Sequence, residues 1–252
     1  MSESSKLGMN RTGIQTSPIQ SAEMAAAAQK STPTSAGTEQ LVADVRISYA
    51  KDKDAEPVGN VPPPGTLKGM AKTALKAMQG QKPTVLVDKL GERAAFERTG
   101  TRLYEGLLSK FDAYGSWEGG PTRGDLEQFH REELEHFGLV VKAIQQMGAD
   151  PTVMTPSADV HAVASEGVMK VITDARTDLR QSLEAILIAE LADNECWDNL
   201  IKLARASGQD SMAEGFERAY MEEQRHLHHV RAWISAGIGK DAHVPMDQSP
   251  TP

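Results

Sequence analysis

The sequence is poor in cysteine, in aromatic residues and in long apolar runs. One cysteine in 252 residues, Cys196, can build neither an internal disulfide nor a Cys-x-x-Cys metal site. No apolar stretch approaches the roughly 20 residues that cross a bilayer, so no membrane span is expected. The N-terminus lacks a basic start followed by an apolar stretch, which argues against a secretory signal and for a cytoplasmic protein. Strand signals are nearly missing: Thr84–Val87 (TVLV) is the one β-branched run, and it leads straight into a helical pattern. Basic charge is scarce in the main body. Residues 1–83 hold ten Lys and Arg against seven Asp and Glu, whereas residues 84–252 hold 17 against 28. Such an acidic body lacks the clustered cations that phosphate contacts need, so nucleic acid is not an expected partner.

What is present falls into blocks. Residues 1–65 have few large apolar side chains to offset the entropy of ordering, and are expected to be a flexible extension with short helical patches near Ser21–Lys30 and Glu39–Ala50. Within it, Leu7–Gln20 is a candidate docking peptide for an unknown partner, an inert tail being the plainer reading. Val61-Pro62-Pro63-Pro64-Gly65 reads as a stiff linker. Residues 66–84 contain a possible amphipathic helix, with Leu67, Met70, Ala74 and Met78 on one side and Lys68, Lys72 and Lys76 on another. A loose tail is expected over residues 237–252. Between these ends, helical periodicity runs near 85–112, 123–147, 177–207 and 210–236. The first two segments are joined through AYGSWEGGPT and the last two through Ser207-Gly208-Gln209-Asp210. Connections this short make antiparallel neighbours. The long middle connection, 148–176, has room for a short helix near Ala158–Val171. The fold class expected is all-α, two helical hairpins joined by a crossover.

Each helix has an inward stripe at alternating four- and three-residue spacing. The stripes read Leu90, Ala94, Glu97, Thr101, Tyr104, Leu108, Phe111; Leu126, Phe129, Glu133, His136, Val140, Ile144, Met147; Leu179, Leu183, Ile186, Glu190, Asn194, Trp197, Ile201, Ala204; and Met212, Phe216, Ala219, Glu223, His226, Val230, Trp233. A stripe so spaced faces the interior of a bundle. Each is interrupted at mid-helix by one Glu, and the second and fourth by Glu-x-x-His. With a rise of about 1.5 Å per residue, the polar groups of each hairpin lie roughly 17–25 Å from its turn, and so at similar heights. The spacing also repeats, with 35 residues between Glu97 and Glu133 and 32 between Glu190 and Glu223.

Four ionised carboxylates in a core cost several kcal/mol each unless compensated. Two divalent cations cancel four negative charges, and neutral imidazoles complete the coordination. An oxygen-rich set with two nitrogens suits iron or manganese better than copper(I) or structural zinc. Helix phase leaves Glu92, Glu105, Glu184 and Glu195 as rivals, Glu184 foremost. Glu127 and His130 form a further Glu-x-x-His, read as surface or packing groups, and His228 and His229 are read as facing outward. Asn194 is a candidate to orient an imidazole, and Cys196 reads as a small buried apolar group.

On GERAAFERTGTRLYEGLL, REELEHF, EAILIAELADNECW and MEEQRHLHHV, over about residues 85–236, the chain resembles the ferritin-like di-metal carboxylate superfamily. The resemblance implies an antiparallel four-helix bundle. It implies Glu97 and Glu190 as terminal carboxylates, Glu133 and Glu223 as bridging ones, and His136 and His226 as nitrogen ligands of two iron ions, manganese or a mixed pair remaining open. Tyr104 stands where bacterioferritin-like members keep a tyrosine near the metals, as an electron or hydrogen-bond donor or as a filled core position. The implied activity is oxidation of iron(II) or reduction of peroxide, with O2 or hydrogen peroxide as reactant and a role in oxidative stress. The electron donor would be separate, because the chain cannot build the cysteine-ligated iron module of rubrerythrin-type peroxidases. Iron storage without turnover, a di-manganese catalase, and an oxygenase with a pocket shaped by the crossover are the alternatives. Self-association to a dimer or larger homo-oligomer is expected.

Overall fold

The computed structural model describes residues 83–152, 154–244 and 246, the segments 8–10 and 13–15, and isolated positions at 22, 23, 26, 27, 30, 44 and 61. The chain divides into two units, Met1–Glu56 and Pro57–Pro252. In the first, β1 (Gly8–Asn10) pairs antiparallel with β2 (Gly13–Gln15), Met9 opposite Ile14. This small hairpin lies in the stretch read as a docking peptide, where a flexible extension was expected, and the described body of the chain is all-helical as expected. Residues 22, 23, 26, 27, 30 and 44 are helical. The rest of the two expected patches, the proline linker beyond Val61, the amphipathic segment 66–79 and the last residues of the tail lie outside the described residues.

The second unit contains, among its described residues, α1 (Pro83–Tyr114), α2 (Arg123–Gln146), α3 (Pro156–Thr173), α4 (Leu179–Ala206) and α5 (Asp210–Ala242). None is long and apolar enough to cross a membrane. Local chemistry sets their starts. Thr122 and Asp125 form a reciprocal capping box before α2, and Asp178 and Gln181 do the same before α4. Thr155 caps α3, with Pro156 in the first turn where its missing N–H is harmless. The α4–α5 connection turns through Gly208 at φ 67, a conformation costly for other residues.

Side-chain pairs fix the helix directions. Asp112 of α1 pairs with Arg123 of α2, and Glu105 lies opposite His130. Arg180 at the start of α4 reaches Asp241 at the end of α5. Across the hairpins, Arg93 and Tyr104 of α1 meet Asp193 and Glu190 of α4, while Glu132 and His136 of α2 meet His226 and Glu222 of α5. Each of α1, α2, α4 and α5 is thus antiparallel to both of these neighbours.

The crossover contains the helix expected near Ala158–Val171, two residues longer at each end: α3 spans 18 residues and lies along α1. The reason is steric: a side chain at Gly91 would collide with Thr155 and one at Gly106 with Ile172, so the two backbones approach only because α1 carries glycine there. At the other end, α5 runs to Ala242, past the boundary expected at residue 236.

The core is in two parts. One apolar cluster gathers Leu90, Val140, Ile144, Trp197, Ile201 and Phe216. The other gathers Tyr104, Phe129, Leu183, Ile186, Val230 and Trp233. Of the stripe positions, Thr101, Leu108 and Phe111 are only half-buried, and the rest are buried. The polar stripe residues fill the gap between the two apolar clusters, which shield them from both ends of the helices.

Candidate metal centre

Glu97, Glu133, His136, Glu190, Glu223 and His226 are all buried, none more than 4% exposed. Helical phase explains this: each lies on the stripe that packs inward, so desolvating the apolar positions desolvates these as well. Two sets of potential ligand atoms result, each set within 4.8 Å: Glu97, His136 and Glu223 form one, Glu133, Glu190, Glu223 and His226 the other. Glu223 belongs to both. Its Oε1 is 2.6 Å from Nδ1 of His136 and its Oε2 is 3.2 Å from Nδ1 of His226. Glu97 Oε2 lies 3.7 Å from His136 Nδ1, and Glu133 Oε1 lies 3.8 Å from His226 Nδ1.

The outer nitrogens are held crosswise. Nε2 of His136 is 2.7 Å from Oε2 of Glu222 on α5, and Nε2 of His226 is 2.8 Å from Oε2 of Glu132 on α2. Each imidazole is therefore anchored by the residue preceding the inward Glu of the opposite helix. A proton on Nε2 shared with a carboxylate leaves the Nδ1 lone pair pointing inward. Arg225 donates to the other oxygen of Glu132, and with His226 it holds that carboxyl down at about 2 against the opposing effect of burial. These outer carboxylates escaped the sequence reading, although the doubled Glu in Glu132-Glu133-x-x-His136 and Glu222-Glu223-x-x-His226 was visible.

The terminal carboxylates have unlike neighbours. Tyr104, 1% exposed, donates its hydroxyl to Oε1 of Glu190 at 2.5 Å. Its phenol is pushed well up, first by burial and then by Glu190, and stays protonated. Glu97 instead faces Arg93, whose Nε is 3.0 Å from its Oε1. The same buried guanidinium reaches Asp193 Oδ1 at 2.6 Å and donates to the Asp193 carbonyl at 3.1 Å. Neither Arg93 nor Asp193 was foreseen. Their signal was the helical spacing that places them on the faces of Glu97 and Glu190.

The remaining polar residues near the stripes divide, some lying where expected and some not. Glu184 is exposed and pairs with Arg180, because helix phase turns it away from Glu190. Glu105 and Glu195 are exposed, and Glu127 is held at the surface by Arg123. Glu92 is buried but belongs to a different cluster. Asn194 does not orient an imidazole: its amide donates to the carbonyls of Glu190 and Glu223, tying α4 to α5. Cys196 is only partly buried and neighbours Glu92 at 3.6 Å. His228 is exposed, while His229 packs partly buried against Phe129.

Inward atoms of the six residues are left without hydrogen bonds of acceptable geometry: both oxygens of Glu97 and Glu223, Oε2 of Glu133 and Glu190, and Nδ1 of both histidines. Burial pushes the carboxyls of Glu133 and Asp193 well up, and Glu190 up to about 8. Burial opposes charge on the imidazoles, but Glu223 and its neighbours outweigh it, raising His136 to about 11 and His226 to about 10. Compared with known proteins, the chain matches no family model, no curated protein and no solved structure.

Proposed function

We propose that the second unit is a ferritin-like four-helix bundle whose six buried Glu and His residues bind two divalent ions, iron or iron with manganese, for redox chemistry on O2 or hydrogen peroxide. The observation that carries this reading is the orientation of the two imidazoles. Each is anchored at Nε2 by an outer carboxylate, and each turns its Nδ1 onto buried carboxylate oxygens. A lone pair facing a carboxylate repels it unless a positive charge lies between them, a proton or a metal ion.

Charge balance supports two ions. At the centre, the five buried carboxylates of Glu97, Glu133, Glu190, Asp193 and Glu223 stand against the buried guanidinium of Arg93, and two dications match the four remaining negative charges. Glu223 would bridge, His136 and Glu97 would hold one ion, and His226 and Glu190 the other, with Glu133 on the side of His226. When bound, an iron pair supplies two electrons, which with two protons convert one hydrogen peroxide to two waters. Glu222 and Glu132 keep the imidazoles in the ligating tautomer. Tyr104 fixes the rotation of Glu190, and Arg93 that of Glu97. The two apolar clusters exclude bulk water from both ends.

The reactant favoured is small. The cavity touching Gly100, Tyr104, Glu133 and Glu190 measures about 10 Å³, room for a molecule the size of water rather than for an organic substrate. The test is metal content and turnover. Wild-type protein loaded anaerobically with iron(II) should retain two ions per chain and consume O2 or peroxide. Glu223→Gln, with its helical spectrum intact, should lose both. Wild-type protein that retains neither iron nor manganese at this ratio would overturn the proposal.

A further inference from the structure

We infer a second metal site, separate from the core centre: Glu92, His161 and Cys196 form a mononuclear site for a zinc-like divalent cation that ties the crossover helix α3 to α1 and α4. The three residues come one from each helix. Nε2 of His161 lies 2.6 Å and Sγ of Cys196 lies 3.6 Å from Oε1 of Glu92, and all three ligand atoms fall within 4.8 Å of one another. In a tetrahedral site with bonds of about 2.0 Å to nitrogen or oxygen and about 2.3 Å to sulfur, neighbouring ligand atoms stand roughly 3.3–3.6 Å apart. The sulfur is already at that separation, and the imidazole has only to draw back by less than about 1 Å. His161 can do so, since its side chain is 29% exposed and the ring rests edge-on against Phe96.

The donor set selects the ion. One carboxylate, one imidazole and one thiolate suit a borderline-soft cation such as zinc better than magnesium or calcium, which take oxygen ligands alone. Access exists from outside: a cavity of about 270 Å³ between Val85, Lys89, Asn199 and Leu203 has Glu92 and Cys196 on its wall, leaving room for water as a fourth ligand. On binding, the Cys196 thiol gives up its proton to solvent, and the thiolate and Glu92 set two negative charges against the dication. Lys89, 2.6 Å from the other oxygen of Glu92, is 45% exposed and leaves its positive charge to solvent.

Because Cys196 is the only cysteine, a thiolate signal can arise nowhere else, whatever the core centre binds. Cobalt(II) titrated into the full-length protein should produce a thiolate-to-cobalt charge-transfer band in the near ultraviolet. Cys196→Ser should abolish it, and His161→Ala, at a partly exposed position that leaves the core intact, should weaken cobalt binding at least tenfold by the same band. Zinc should also slow alkylation of Cys196 by iodoacetamide at least tenfold. No band in the wild-type protein, a band of equal affinity in His161→Ala, or alkylation at the same rate with and without zinc would overturn the site.

Discussion

The carboxylate of Glu133 occupies the space that a β-carbon on residue 100 would need. Gly100 lies one turn beyond Glu97 on α1, and any larger residue there would collide with Oε2 of Glu133. The glycine lets a carboxylate from α2 lie flat against the backbone of α1, so it belongs to the candidate centre although it has no side chain to ligate. Gly100→Ala separates helix propensity from site geometry. Alanine favours the helix by about 1 kcal/mol, yet the substitution should displace Glu133 and weaken metal binding by roughly tenfold or more. Calorimetric titration with manganese(II) measures this, and unchanged affinity would show that Glu133 does not ligate.

The crosswise anchors predict paired effects. Glu132→Gln and Glu222→Gln should each reduce affinity by roughly 10–100-fold through misorientation of His226 and His136 respectively. Glu132 should be the more damaging, because its side chain is 12% exposed against 38% for Glu222, and it also holds Arg225. Competition with a metal-indicator dye ranks the two variants. The reverse order would mean that burial does not set the strength of the anchor.

Arg93 predicts a stability effect. Replacing it with Met leaves Asp193 and Glu97 without their buried cation and should destabilise the protein by about 3–5 kcal/mol. Lysine should not rescue it, since one ammonium cannot reproduce the separate contacts to Glu97, to the Asp193 carboxylate and to the Asp193 carbonyl. Urea unfolding of the chelated protein reads both variants, and a loss under about 1 kcal/mol for Arg93→Met would refute the assignment.

The pH dependence follows from the same groups. His136 and His226 are raised to about 11 and 10, so their stabilisation is complete below an unfolded value of about 6.5 and is lost as pH climbs through about 10 for His226 and about 11 for His136. Glu190, raised to about 8, adds a loss that accumulates from about pH 4.5 up to 8. Glu223 is lowered by its histidines and acts oppositely, its contribution disappearing as pH falls below about 4.5. The chelated protein should therefore be most stable at mildly acidic pH. Metal displaces these protons, so the gap in Tm between manganese-loaded and chelated protein should widen from pH 6 to pH 8. A constant gap would mean that no protons are exchanged for metal.

Much of the fold and of the candidate centre was legible along the chain, for a local reason. Helix phase repeats every 3.6 residues whatever the neighbours, so the stripe containing Glu97, Glu133, His136, Glu190, Glu223 and His226 could be read from spacing alone, as could the short turns that pair α1 with α2 and α4 with α5. Helix phase alone leaves Glu184 open beside Glu190, and it is the repeat of the first hairpin's spacing that favours Glu190. What spacing could not supply was relative height and rotation between helices. Only docking decided that Glu223 touches both imidazoles, that Glu222 and Glu132 reach across to the opposite helix, that Arg93 finds Asp193, and that α3 brings His161 to Glu92 and Cys196. Those pairings depend on how closely backbones approach at Gly91, Gly100 and Gly106 and on how the two apolar clusters fill. They are sums of contacts between segments distant in sequence, and no single helix's periodicity carries them.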